Sequence, residues 1–473
     1  MANKDFKYGI FYSAVGKYSN VIVQFIVNMI LARLLTPEDY GVVAIVQIFL
    51  AFFTMLSDMG IGPAIIQNKE LSKDDISVIF KFSIYLAVLF AIIFVFMGYP
   101  VNLFYSDDVY IPIFIILGFS VFFHAVFVVP RALLLKDKDF KKVNGVDVLS
   151  SVIKGIVSII LAFLGFKYYA LIIGGIVQAM MMFIFYYLPT KISPRTKLRK
   201  DPLLKIWSFS RNQFGFNFIN YFSRNLDSIL IGRYLSPGQL GYYNKAYQLS
   251  LYPNQILAGV ITPVIQPILS DYENELDVIR EVYLKITKIL ANIGVPLSIF
   301  FFFAADNIIF ILFGDQWGAS VMSFKILSVS VWIQMIASST GAIYQSTNRT
   351  DLLLVSGIQS MVFNVVSIII GVYIGTIESV SIMLVLSFLI NFVFNNYLLM
   401  FKVFNSNFTV LIKSLQKPFI IGLLQIVVFV LMPDLKFSIF WNLFVQGIAF
   451  VTTFLVGLMI TNQFKEIKSL VSD

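Results

Sequence analysis

Apolar stretches of about 20 residues, broken by short polar turns, recur along the whole chain and predict about fourteen membrane-spanning helices. They fall at 9–33, 40–66, 77–98, 111–135, 143–165, 168–189, 206–234, 239–269, 282–304, 318–345, 352–374, 377–401, 417–433 and 438–462. The longest connection that would face outward is 305–317, ADNIIFILFGDQW. The first stretch follows a basic start, MANKDFKYG, with no small-residue cleavage site behind it. It reads as a retained helix rather than a signal peptide.

Lysine and arginine orient these helices. Lys136, Lys138, Lys141 and Lys142 share one connection, and TKISPRTKLRKDPLLK (190–205) is the most basic connection in the chain. The opposite ends carry only Arg33, Lys167, Arg233, Lys325 and Lys436. Positive charge collects in cytoplasmic loops, so 190–205 and both termini are expected in the cytoplasm. That segment then links an N-lobe of six helices (1–189) to a C-lobe of six (206–401). Residues 402–473 add two helices and a cytoplasmic tail.

The lobes are related by a repeated phrase. LARLLTPEDYG at 31–41 returns as IGRYLSPGQLG at 231–241. Thr36 or Ser236 suits a helix cap, and the proline that follows suits a first turn. Six helices separate the copies, so both lie on one face of the membrane, as in parallel repeats. The same offset pairs Asn20 with Asn220 and Pro63 with Pro263. The pattern is that of an all-α integral membrane protein built from two pseudo-symmetric six-helix lobes plus two C-terminal helices.

Polar residues interrupt some of the apolar runs on one helical face. The first helix carries Ser13, Lys17, Asn20, Gln24 and Asn28, and the seventh carries Gln213, Asn217, Asn220, Arg224 and Ser228 in the same spacing. Lys154 falls deep in the fifth helix; Lys245, Tyr247 and Asn254 fall in the eighth. A charge at a helix centre costs about 2.5–3.5 kcal/mol even on lenient scales. Such residues therefore face water or one another. Arg131 and Arg211 lie nearer helix ends, where a long side chain can snorkel. The deep acids are Asp58 and Asp227; Asp227 is one turn from Arg224 and suits an internal ion pair. A cleft lined by Lys17, Lys154, Arg211, Arg224 and Lys245 suits a phosphate-bearing cargo. Asn20, Gln24, Asn217, Asn220, Tyr247 and Asn254 suit its sugar hydroxyls.

Composition narrows the chemistry. The 473 residues are 58% apolar and 13% charged, far from the balance of a soluble chain. The net charge of +9 fits basic cytoplasmic loops rather than nucleic-acid binding. With no cysteine and a single histidine, His124, metal centres and histidine-based triads lack material, and His124 reads as buried or at a cavity edge. No GxxxxGK[ST], GxSxG or HExxH sequence occurs. No cofactor and no enzymatic role are expected. Transport would draw on an ion gradient, the membrane potential or consumption of the product, with Asp58 and Asp227 available for a proton or sodium ion.

ARLLTPEDYGVVAIVQIF (32–49), followed by SDMGIGPAIIQNKELSKDDI (57–76), resembles the N-terminal signature of the polysaccharide-transporter branch of the MOP flippase superfamily, in its Wzx-type teichuronic-acid and colanic-acid group. The resemblance implies a V of two six-helix bundles around a central cavity. It implies a flippase moving an oligosaccharide on a polyprenyl diphosphate to the outer leaflet of a bacterial plasma membrane, and polysaccharide polymerase as a partner. Members often carry basic residues in the first and seventh helices, here Lys17, Arg211 and Arg224. The alternative is a multidrug antiporter of the same superfamily, which exports cations and usually needs an acidic cavity. A membrane polymerase or glycosyltransferase would need a sizeable loop or domain outside the bilayer.

Overall fold

The computed structural model describes residues 2–58, 60–68, 70–203, 221, 225–269, 272–273, 275–433 and 438–463. The helices are α1 (Ala2–Leu34), α2 (Pro37–Asp58), α3 (Ile61–Gln67), α4 (Lys73–Tyr105), α5 (Tyr110–Lys136), α6 (Phe140–Phe163), α7 (Tyr168–Thr190), α8 (225–234), α9 (Pro237–Leu269), α10 (Leu276–Phe313), α11 (Ser320–Ser328), α12 (Val331–Ser346), α13 (Thr350–Ile374), α14 (Ile377–Tyr397), α15 (Phe408–Leu431) and α16 (Ile439–Ile460). Among the described residues, 11 spans are long and apolar enough to cross a membrane, and the bent pair α11–α12 makes up to 12. Most of the expected span 206–234 lies outside the described residues. The expected span 239–269 is present as α9, which is not one of those spans.

Three expectations are corrected. The stretch 40–66 is not one helix: the chain breaks at Gly60, whose φ of 73° is left-handed and easy only for glycine. The stretch 318–345 is two helices bent by 53°. Bending frees backbone groups that have no water to turn to. One is answered by α10, where the Ser298 hydroxyl accepts the Trp332 N–H at 3.2 Å. Residues 305–313 are not a connection but the last turns of α10, which runs for 38 residues.

The chain forms two compact units, 1–241 and 242–473. The first therefore includes α8 and the start of α9. Both copies of the repeated phrase cap as expected: Thr36 Oγ1 accepts the Asp39 N–H at 3.1 Å and Ser236 Oγ accepts the Gln239 N–H at 3.1 Å. In the first copy, Asp39 also answers the Thr36 N–H at 2.9 Å, closing a capping box. Its other oxygen accepts the Tyr168 N–H at 3.1 Å, tying the start of α7 to the same corner. The core of this unit stacks Phe94 on Phe114, centroids 4.6 Å apart. The basic segment 190–205 is bound back to α4: Lys81 donates to the Thr196 carbonyl at 2.8 Å, and Arg199 pairs with Asp75 at 3.6 Å.

In the second unit, α10 packs against α11, α12, α15 and α16. Amide pairs join its helices, as suits an interior without water: Asn292 donates to Gln463 at 2.7 Å and Asn307 to Gln446 at 2.8 Å. Trp317 is fully buried at the end of α10.

Candidate functional site

The candidate polar residues of the first unit come from five helices, α1, α2, α5, α6 and α7. Helices α1 and α6 run side by side and parallel. Gly16 meets Asn144 near one end, and Gly155 meets Val27 near the other. Counting about 100° per residue from these contacts, the polar stripe of α1 and the side chain of Lys154 turn to the same side of the pair. Lys17 and Gln24 are exposed there, and Asn20 and Asn28 are half-buried. The one hydrogen bond within the stripe is from Gln24 to Asn20, at 3.4 Å.

Behind Lys154 lies a network the sequence reading had missed. Asp58, Thr54, His124 and Arg131 line one cavity of about 300 Å³, walled by Gly62, Pro63 and Phe127. The break at Gly60 frees the Gly62 N–H, which Asp58 Oδ1 accepts at 3.3 Å. Arg131 reaches from the cavity to Asp147 on α6 at 3.9 Å, and Tyr186 on α7 donates to the same carboxylate at 2.5 Å. His124 Nδ1 lies 2.8 Å from the Ser120 carbonyl, and its ring is within electrostatic reach of Lys154. Arg131, expected only to snorkel, also meets an acid there. His124 is at a cavity edge, one of its two readings. The overlooked signal was periodic. Asn144, Asp147, Ser151, Lys154 and Ser158 repeat by threes and fours on α6, as do Ser120, His124 and Arg131, with Phe127 between, on α5.

The charge balance follows. Asp58 and Asp147 both face Arg131. Lys17 and Lys154 have no acid in ion-pairing range among the described residues. The surplus is cationic, on one side of α1 and α6, beside side chains that bond hydroxyls. Such a surface can hold a phosphate by its charge and a sugar by its amides.

Arg211, Asn217, Asn220 and Arg224 lie outside the described residues. Asp227 on α8 is 6% exposed, and its Oδ1 accepts the Ser228 N–H at 2.7 Å. In the second unit, Lys245 is 3% exposed, its Nζ 5.2 Å from the centroid of Phe313 and 5.8 Å from that of Trp317. It faces aromatic rings there. Tyr247 stacks on Tyr243, centroids 5.8 Å apart, and Asn254 is half-buried. No cluster of three or more metal-ligating side chains occurs among the described residues.

The chain is 24% identical over 420 residues to the teichuronic acid biosynthesis protein TuaB of Bacillus subtilis (strain 168), covering 88% of this chain and 87% of that one. Its fold is that of a lipid II flippase, MurJ, in an inward closed conformation: TM-score 0.74, 16% identity, 95% of this chain and 98% of the other. An inward-facing multidrug resistance MATE transporter of the MOP superfamily shares the fold less closely, with TM-score 0.58, 14% identity and coverage of 81% and 97%. The family model described as "Polysaccharide biosynthesis protein" matches residues 30–322, more than half the chain, and the chain belongs to that family.

Proposed function

We propose that this protein is a flippase. It moves an oligosaccharide carried on a polyprenyl diphosphate from the cytoplasmic to the outer leaflet of a bacterial plasma membrane, by alternating access, for assembly of a cell-surface polysaccharide. The observation that carries this reading is the unmatched pair Lys17 and Lys154 on one side of α1 and α6. Leaving two cations unmatched in a membrane protein is costly unless an anion is to meet them. A diphosphate supplies that anion, and the amides beside the lysines suit the sugars that follow it. Arg224 joins the same role by its place in the sequence repeat, and Arg211 as a second basic residue of the expected seventh helix.

The antiporter reading needs the reverse balance. The acids Asp58 and Asp147 share Arg131, and with Lys17 and Lys154 counted the charged groups of these helices carry a positive rather than a negative surplus. Membership in a polysaccharide biosynthesis family also favours the flippase. Asp58, in its cavity with Thr54, His124 and Arg131, is the candidate for proton or sodium coupling, with Asp227 second. Polysaccharide polymerase is the expected neighbour on the outer side, and both termini stand in the cytoplasm. The test is transport by purified protein in liposomes. Labelled lipid-linked oligosaccharide should cross and a cationic dye should not; the opposite result would establish the antiporter.

A further inference from the structure

The second unit holds a polar cavity apart from the lysine face. About 300 Å³ in volume, it lies where the end of α10 meets the end of α15 and the start of α16. Asp306, Asn307, Asn442 and Gln446 line it, with Phe303 and Phe429 at its floor. The two rings stack, 5.3 Å apart and 10° from parallel. With the N-terminus in the cytoplasm, α10 and α15 end, and α16 begins, at the outer face.

The hydrogen bonds present leave these groups partly unspent. Asn307 donates to Gln446 Oε1 at 2.8 Å, and Gln446 donates to the Phe303 carbonyl at 3.5 Å. Asp306 gives one oxygen, Oδ2, to Lys325 at 2.6 Å. Asn307 Oδ1 and Asp306 Oδ1 carry no hydrogen bond among the described residues, and the Asp306 side chain is 50% exposed. Acceptors gathered in one cavity with two aromatic side chains in its lining match the hydroxyls and apolar CH groups of a pyranose. The volume is at the small end of ligand cavities, enough for one or two sugar rings and too small for a lipid-linked repeat unit.

We infer that this cavity is an exit subsite, which holds the terminal sugar of the cargo after it has crossed. The inference rests on the flippase reading and adds a second saccharide site to it, at the outer end of the second unit. A sugar held there would keep the flipped headgroup from sliding back.

The test is photocrosslinking in cells of the native host, with the full chain and its own cargo. The photoreactive residue p-benzoylphenylalanine is placed at Met432, which lines the cavity, and separately at Ser13, one turn before Lys17 on the polar stripe of α1. Adducts are stained for periodate-oxidised vicinal diols and weighed by mass spectrometry. The expected result is a glycan-bearing adduct of one discrete mass, isoprenoid included, at both positions. In the double variant Asn307→Leu and Gln446→Leu the Met432 adduct should fall by about tenfold or more, as loss of two hydrogen-bonding partners implies, while the Ser13 adduct persists. Persistence at Ser13 also shows that the variant has folded. A glycan adduct at Ser13 with none at Met432 overturns the exit subsite and leaves the flippase reading standing. None at either position overturns both. A ladder of masses at Met432 means assembled polymer rather than cargo and overturns the subsite, as does a Met432 adduct unchanged in the double variant.

Discussion

Gly41 and Pro237 touch backbone to backbone: a Cβ built on Gly41 would stand 1.6 Å from the Pro237 carbonyl oxygen. The contact is reciprocal, since a Cβ on Gly241 would stand 2.0 Å from the Pro37 carbonyl oxygen. The two copies of the repeated phrase therefore pack on each other inside the first unit, each proline against the other copy's glycine. No side chain can rotate out of a clash with backbone. Gly41→Ala and Gly241→Ala should each destabilise the protein by at least the about 1–3 kcal/mol typical of an overpacked core. The two should be strongly non-additive, because one displacement relieves both clashes. Thermal unfolding in detergent, followed by fluorescence size exclusion, checks this; Gly238→Ala, with only Ser236 Oγ at 3.9 Å, is the control.

The same repeat fixes a prediction about sidedness. The chain has no cysteine, so cysteines at Thr36 and Ser236 would be its only thiols. Both positions lie in turns outside the helices, exposed and half-buried respectively. Both should react with a membrane-impermeant maleimide added outside intact cells, and a cysteine at Ser193 in the basic segment should not. Reaction of only one of the two turns would break the parallel-repeat topology.

Lys154 separates a structural from a functional charge by the sign of the effect. A lysine kept for stability would destabilise the protein when removed. An unmatched cation held for cargo should do the opposite. Lys154→Met is therefore expected to raise the unfolding temperature and to abolish flipping in liposomes, and Lys17→Ala to abolish flipping with expression intact. Lys17→Arg should retain activity, because a wet phosphate site reads charge before shape. Normal transport by Lys17→Ala would remove the main support for the cationic face.

Arg131 is the opposite case, a cation shared by two acids. Arg131→Met leaves Asp58 and Asp147 unbalanced and should cost about 1–3 kcal/mol, less than the ~3–5 of a fully buried pair because its side chain is 41% exposed. Adding Asp147→Leu should recover much of that loss, since replacing a whole pair is cheaper than breaking it. A double variant less stable than Arg131→Met alone would show that Asp147 is held by Tyr186 rather than by the arginine.

These residues also show what the sequence made legible. The caps at Thr36 and Ser236, the ends of most helices and the stripe on α1 follow from local chemistry, which a linear chain displays. The stripe on α6 was equally periodic, yet Asp147 was overlooked and Arg131 was judged alone, as a snorkelling side chain near a helix end. Its partners come from α2 and α6, and only folding brings them together. The bends were illegible for a related reason. The few small or polar residues at 57–60 and 328–331 are no more than a membrane helix tolerates, and the Ser298 hydroxyl that compensates the second break is supplied by another helix.

Asp58 carries the last prediction. Its carboxylate caps a broken helix through one oxygen, faces Arg131 and opens on a cavity of about 300 Å³. A group held for packing needs only the hydrogen bond to the Gly62 N–H. A group held for coupling needs its charge as well. Asp58→Asn keeps a carbonyl oxygen for the first and removes the second, so it should fold as the wild type does. Flipping is measured in vesicles with and without an imposed proton or sodium gradient, for the wild type, Asp58→Asn and Asp227→Asn. Wild-type flipping should accelerate with the gradient. Asp58→Asn should flip at the gradient-free rate under both conditions, whereas Asp227→Asn should keep its response. A gradient response unchanged in Asp58→Asn would assign that residue to the helix break alone. No response in the wild type would rule out ion coupling, leaving flipping drawn forward by consumption of the sugar outside.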